Sequence, residues 1–163
     1  MRTIKFRGKK VTNGVWAYGS LVYLDENGAA IYVQTDNGSA KVMDLVYVHP
    51  DTVCQFTGFL DKNGKEIYEG DVLRSDEYPY SCIGDKKRDN YYAVVYYCEE
   101  GACFGTVTAK NPSSDVGGIS DGILDDVERE KMKNFEVVGN IHEENWQQYG
   151  EYFKNEEKEA DND

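Results

Sequence analysis

The sequence predicts a mainly β protein, built from small, bent antiparallel sheets, with an SH3-like barrel in its second part and one or two short C-terminal helices. Short apolar stretches follow one another along the chain, separated by turns rich in Gly, Asn and Asp. Tyrosine occurs 13 times and aromatic residues make up 13% of the chain, as is typical of strands. The strongest single strand signal is Tyr91–Cys98, YYAVVYYC.

The first part, residues 1–50, is predicted to be an N-terminal β-meander. Ile4–Arg7 alternates apolar and basic residues, and Val15–Leu24 places Trp16 and Tyr18 on one face. Turns follow at Asn27-Gly28 and Asn37-Gly38. We therefore expect further strands around residues 31–33 and 41–47.

The stretch Gln55–Arg74 is expected to organise the second part, residues 51–150. Asp61, Asn63 and Gly64 form the first turn of a strand–turn–strand pattern, and Gly70 with Asp71 forms the second. A calcium loop would place its Gly at the sixth position and a Glu at the twelfth, so a hairpin turn is the better interpretation of Asp61–Gly64. Leu24–Tyr32 repeats six of the nine residues of Leu60–Tyr68, which indicates two hairpins with the same turn chemistry.

The rest of the chain alternates loops with strong strands. Ser75–Asn90 is predicted to be an exposed loop, Tyr91–Cys98 a central strand, and residues 103–109 its partner. After a second loop, a short helix is expected over residues 123–132. The last strand, residues 135–141, precedes a helix from Asn145 and an acidic tail, residues 151–163. Residues 1–150 are expected to share one core.

The charge of the chain favours some functions over others. The net charge is −12, of which the tail, with six acids and two lysines, contributes −4. Such a chain repels phosphate backbones and anionic lipids, so nucleic acid is not the expected partner and no membrane association is predicted. The N-terminus has no apolar targeting segment, and we expect a cytoplasmic protein.

No cofactor or metal site is predicted. The four cysteines form no Cys-x-x-Cys pair and are expected to be thiols in a reducing compartment. Cys98 and Cys103, with His49 or His142, have spacing too loose for a typical zinc site. Carboxylates between Glu66 and Asp71 could support acid–base chemistry, but acids beside turns are more often structural.

Three segments in the right order resemble the YopX family. They are Ile4–Arg7, the block from Gln55 to Val72 that contains DKNGKEIYEGDV, and Phe135–Ile141, FEVVGNI. The family comprises proteins of phages, prophages and other mobile elements, and its biochemical role is not established. The resemblance implies a β-rich, oligomeric protein and carries over no catalytic residue.

These observations favour a non-enzymatic, phage- or prophage-type accessory protein that binds itself and a host or phage protein. The surplus tyrosines Tyr78, Tyr80, Tyr91 and Tyr97 are the predicted interaction surface. Alternatively, such tyrosines could stack on nucleic acid, or the acidic chain could mimic it. A third hypothesis is an enzyme that uses the carboxylates of the Glu66–Asp71 turn.

Overall fold

A computed structural model describes residues 3–25, 28–36, 41–76, 91–107, 120–124, 133–144 and 146. Over these residues the chain forms eleven β-strands in antiparallel sheets and one 3-10 turn, Pro50–Thr52. The chain divides into two compact units, Met1–Gly58 and Phe59–Asp163.

The strands of the first unit are β1 (Phe6–Lys9), β2 (Trp16–Asp25), β3 (Gly28–Asp36), β4 (Lys41–Val48) and β5 (Cys54–Leu60). They form a meander that returns to its first strand, with strand order β4-β3-β2-β1-β5. Strand β5 continues past the division into the second unit, where its sheet neighbour is the short strand β6 (Glu66–Tyr68).

One face of this sheet is the core of the first unit. Alternate residues of a strand point to the same face, so the register places Ala17, Ile31 and Val46 together. Ala17, Ala29, Ile31 and Val48 are buried and form a cluster, against which Phe6 and Leu21 pack. This confirms the predicted two-faced character of the second strand.

The end of β4 turns back onto the end of β1. The Val11 amide donates to the Tyr47 carbonyl at 3.1 Å, and the His49 amide donates to the Lys9 carbonyl at 2.9 Å. Gly8 makes this approach possible, because a Cβ at that position would lie 2.8 Å from Cγ2 of Val48. The sheet therefore curls strongly.

The second unit contains an open five-stranded sheet with the order β10-β9-β8-β7-β11. Strand β8 lies at its centre, as predicted, and is buried along most of its length. Besides β6 (Glu66–Tyr68), the strands are β7 (Asp71–Ser75), β8 (Tyr91–Cys98), β9 (Cys103–Val107), β10 (Ser120–Ile123) and β11 (Glu136–Asn140).

Both faces of this central strand contact apolar side chains. On one face Leu73, Ala93 and Val95 pack with Phe104 and Phe135 in the larger cluster. On the other face a smaller cluster contains Val72, Val94 and Val107. Burial on both faces explains why YYAVVYYC has no polar alternation.

Two predictions about the second part are not confirmed. The strand order is that of an open sheet, and no closed barrel of the SH3-like kind forms. Ile123, the predicted first residue of a helix, ends β10 instead, because Ser120–Ile123 pairs with β9. Leu124 follows and is buried in the larger cluster. Residues 125–132 of that helix, most of the helix predicted after Asn145 and most of the predicted loop Ser75–Asn90 lie outside the described residues.

Candidate functional site

The outer face of the first unit's sheet carries a group of large, exposed apolar side chains. The register places Ser20 opposite Tyr32, Tyr32 opposite Leu45, and Gln34 opposite Met43, so all of them share one face. Tyr47, Met43 and Tyr18 are 61%, 51% and 43% exposed. We call this surface the tyrosine face; its large apolar members are the exposed Tyr18, Tyr32, Met43, Leu45 and Tyr47 and the half-buried Trp16.

The alternation of the strands produces this face. In β2 the small residues Ala17 and Gly19, which face the core side, alternate with the outward-facing Trp16 and Tyr18. In β4 the same period places Met43 and Leu45 outward while Val46 and Val48 pack against the core. The hydroxyl of Tyr32 donates to the sulfur of Met43 at 3.2 Å, which joins two neighbouring side chains of the face.

Three cations of strand β1 and the residue before it line one side of the tyrosine face. The guanidinium carbon of Arg7 lies 4.4 Å from the centre of the Trp16 ring. The ammonium of Lys9 lies 5.5 Å from the Trp16 ring centre, and that of Lys5 lies 5.8 Å from the Tyr18 ring centre. Arg7 is buried, at 4% exposed, whereas Lys5 and Lys9 are half-buried. A cation–π contact contributes about 0.5–1 kcal/mol at an exposed site and more where the cation is desolvated.

The charge of the chain is divided between its two units. The first unit has six Lys and Arg residues against five Asp and Glu residues, a net charge of +1, and the second has twelve against twenty-five, a net charge of −13. Five of the six cations precede Asp25, the first acidic residue of the chain. This basic start is visible in the sequence. The total charge of −12 hides this basic segment, so the sequence analysis did not indicate an interaction surface in the first unit.

Of the four tyrosines predicted to form an interaction surface, Tyr91 and Tyr97 do not lie on the tyrosine face; both belong to strand β8 of the second unit. Tyr91 is 2% exposed and packs in the core of the second unit, where its hydroxyl is 2.9 Å from that of Thr106. Tyr97 is 40% exposed and packs edge-on against Phe104, with ring centres 5.2 Å apart. Tyr78 and Tyr80 lie outside the described residues.

The turn at Asp61 is held by a buried carboxylate. Asp61 is 6% exposed; its Oδ1 accepts the amides of Asn63 and Lys65, both at 2.8 Å, and its Oδ2 accepts the Val137 amide at 3.1 Å. Gly64 has φ +80°, which favours glycine. The turn is therefore tied to β11, more than seventy residues further along the chain.

Asp71 has a similar structural role at the second turn. It is 1% exposed; its Oδ2 accepts the Tyr68 amide at 2.8 Å, and its Oδ1 accepts the side-chain amide of Asn140 at 3.1 Å. Gly70 has φ +74° and lies against Ile141. Glu66, another carboxylate of the enzyme hypothesis, accepts the hydroxyl of Tyr68 at 2.7 Å. Through these contacts the carboxylates of Asp71 and Glu66 have a structural role.

The described cysteines and histidines do not assemble into a metal site. Cys98 and Cys103 lie opposite each other at the end of the β8–β9 ladder, and Cys54 is buried in the first unit. Within the described residues, no group of three or more His, Cys, Asp or Glu side chains could hold a metal ion. In the same part of the chain, no helix is long and apolar enough to cross a membrane.

The fold defines the class of protein: a mainly β chain with two antiparallel sheets and an exposed aromatic face. The sequence profile of the family described as "YopX protein" matches residues 5–145, and the chain belongs to this family. The crystal structure of protein EF1440 from Enterococcus faecalis is similar at 19% identity over 87% of this chain and 95% of that chain, with a TM-score of 0.47. No curated protein matches the chain.

Proposed function

We propose that this protein is a phage- or prophage-type accessory protein of the cytoplasm. It is non-enzymatic, assembles with itself, and binds a host or phage protein through the tyrosine face. The observation that supports the binding function is the exposed apolar side of a sheet whose opposite side already packs against its own core.

The composition of the tyrosine face favours a protein partner. The centres of protein interfaces are enriched in Trp, Tyr, Met and Arg. Trp16, Tyr18 and Met43 lie on this face. Exposed aromatic side chains anchor such interfaces because they bury a large area at a small cost in conformational entropy.

The test is a tagged pull-down from bacterial lysate, with and without nuclease, read by mass spectrometry. The variant Tyr18→Ser removes one aromatic ring from the tyrosine face. The matched control is Tyr23→Ser, because Tyr23 is also an exposed tyrosine of β2 but lies opposite Ala29, on the other face of the sheet. We expect a protein that survives nuclease, is lost with Tyr18→Ser and is retained with Tyr23→Ser.

The outcome that contradicts the proposal is equally specific. If Tyr18→Ser and Tyr23→Ser recover the same proteins in the same amounts, the tyrosine face does not bind the partner. If only copies of the chain itself are recovered, the protein does not bind a host protein under these conditions. Recovery that depends on nucleic acid would support the second candidate below.

Single-stranded nucleic acid is the second candidate partner, and the cations of the tyrosine face favour it. The ammonium groups of Lys5 and Lys9 lie 5.8 Å and 5.5 Å from the ring centres of Tyr18 and Trp16, and bases stack on aromatic rings beside cations. The test is fluorescence anisotropy with a labelled single-stranded 20-mer at low salt. Binding that weakens with Lys5→Glu and with added salt would support this function, and no binding would exclude it.

A further inference from the structure

The β8–β9 hairpin carries two cysteines that lie directly opposite each other. Cys98 is the last residue of β8, and Cys103, the first residue of β9, is its partner in the ladder. Both are thiols, and both are only half-buried, so a small reagent can reach them. Cys54 differs from them, because it is 1% exposed and its thiol donates to the Thr52 carbonyl at 3.3 Å. The pair in the hairpin is therefore open to chemistry from which Cys54 is shielded.

Contacts on both sides of the two cysteines fix their positions. On the turn side, the Ala102 amide donates to the Glu99 carbonyl at 3.3 Å, and Ala102 has φ +50°. On the strand side, the next opposite pair, Tyr97 and Phe104, packs edge-on with ring centres 5.2 Å apart. The cysteines are thus held opposite each other by a closed turn and by an aromatic contact.

The two sulfur atoms lie on the same side of the hairpin. Opposite residues of an antiparallel ladder place their side chains on one face of the sheet. A Cβ at Gly101 would lie 3.0 Å from the sulfur of Cys103 and 3.6 Å from the sulfur of Cys98. Both sulfurs therefore border one small space beside Gly101, which the glycine leaves open.

The spacing of opposite residues in a ladder suits a reversible disulfide. Their Cα atoms are about 4.5–5.5 Å apart, within the range of about 4.4–6.8 Å that a disulfide spans. Their Cβ atoms are about 4.5–5.5 Å apart, whereas a disulfide brings them to about 3.5–4.5 Å. Closing the bridge draws the two strand ends together slightly, and a bridge that distorts its surroundings in this way is readily reduced again.

We infer that Cys98 and Cys103 form a reversible dithiol–disulfide site that reacts with small disulfides. The thiolate of one cysteine attacks a small disulfide, RSSR, which gives a mixed disulfide with the protein and releases RS⁻, which takes up a proton. The second cysteine loses its proton, attacks the protein sulfur of the mixed disulfide and releases the second RSH. The cysteine pair loses two electrons and two protons, and RSSR gains them as two RSH. The site belongs to the second unit and does not depend on the binding proposed for the tyrosine face.

The test is oxidation of the folded native chain with hydroxyethyl disulfide, which is uncharged and is not repelled by the exposed Glu99 and Glu100 of the turn. The remaining thiols are then alkylated in denaturant, and the chain is cleaved after Glu and mapped by mass spectrometry. Cleavage after Glu99 or Glu100 separates the two cysteines, so peptides that stay joined identify the bridge. We expect a Cys98–Cys103 bridge that forms while Cys54 remains a thiol, and that 2-mercaptoethanol reverses while the chain stays folded.

Two single substitutions, Cys98→Ser and Cys103→Ser, distinguish a bridge from ordinary modification of an exposed thiol. With one cysteine left, no neighbouring thiol displaces the reagent, so the mixed disulfide should persist at least about tenfold longer than in the native chain. The map of the native chain needs neither variant and decides the question even if one does not fold. The proposal is overturned if the native chain keeps the reagent on both cysteines, if either cysteine bridges to Cys82 instead, or if neither reacts before Cys54.

Discussion

The carboxylate of Asp61 should contribute a large part of the stability of the second unit. It accepts three backbone amides, two within its own turn and one from Val137 in β11. The Lys62 amide donates to the Phe135 carbonyl beside it, and the Lys62 ammonium lies 2.6 Å from a carboxylate oxygen of Glu136. Asp61→Ala removes only the contacts of the carboxylate and leaves both contacts of Lys62 in place.

The expected loss of stability depends on whether water can reach each amide that loses its acceptor. The hydrogen bond from Val137 is buried, so an amide left without a partner there costs about 1–3 kcal/mol. The two turn amides are only partly buried, and water can replace the carboxylate at a cost of about 0.5–1 kcal/mol each. Asp61→Ala should therefore destabilise the protein by about 3 kcal/mol.

The assay is urea unfolding followed by far-UV circular dichroism, together with the thermal midpoint. For a chain of this size, about 3 kcal/mol corresponds to a decrease in Tm of about 6–12 °C. Asp61→Asn keeps one side-chain oxygen for the turn amides and loses the acceptor for Val137, so it should cost about half as much. Asp76→Ala is the control, because Asp76 is exposed and its ion pair with Arg74 should contribute less than about 1 kcal/mol.

The reasoning is wrong if Asp61→Ala costs no more than Asp76→Ala. It is also wrong if Asp61→Asn is as damaging as Asp61→Ala, because the turn bonds and the bond to Val137 would then not be separable. Amide hydrogen exchange locates the effect: the Val137 amide should lose protection in both Asp61 variants, whereas the Lys65 amide should lose it only in Asp61→Ala.

Two further predictions concern the second turn of the same unit. Gly70→Ala should destabilise the protein by about 2–3 kcal/mol, against about 1 kcal/mol for Gly64→Ala. Both glycines have positive φ, but a Cβ at Gly70 would lie 3.1 Å from Ile141 whereas at Gly64 the space is open; equal losses in urea unfolding would contradict this. Asn140→Asp places a second carboxyl beside that of Asp71, where the side-chain amide now lies at 3.1 Å. Repulsion and burial should raise the pKa of the introduced carboxyl, so the variant should lose stability relative to the native chain as the pH rises from about 4 to 7, and a pH-independent loss would contradict this.

Strands and turns with strong local signals could be predicted from the sequence. Tyr91–Cys98 forms a strand with the predicted bounds because its apolar side chains fill both faces of the sheet. The turn at Asn63-Gly64 follows from local backbone preferences. Strand β10, of sequence SDGI, carries no such signal, because its pairing with β9 rather than its own composition makes it a strand.

The tyrosine face could be predicted only in part. Alternation alone places Trp16 and Tyr18 on the same face of β2, as the sequence indicates. Which face is outside depends on the registers of β2 with β3 and of β3 with β4, which sequence periodicity does not specify. The predicted surface tyrosines come from the part of the sequence where tyrosines are most frequent. In a central strand, such as the one that contains Tyr91, a high frequency of tyrosine indicates burial instead.

The two units thus differ in what their polar and aromatic residues do. In the second unit, Asp61 and Asp71 are buried and hydrogen-bonded to the backbone, so substitutions there should change stability. In the first unit, Tyr18 and Met43 are exposed on a sheet whose core lies on the opposite face, so substitutions there should change binding and leave the unfolding free energy within about 1 kcal/mol of the native value. Because the chain has a net charge of +1 in the first unit and −13 in the second, the unit that carries the tyrosine face is also the one that repels an acidic molecule least.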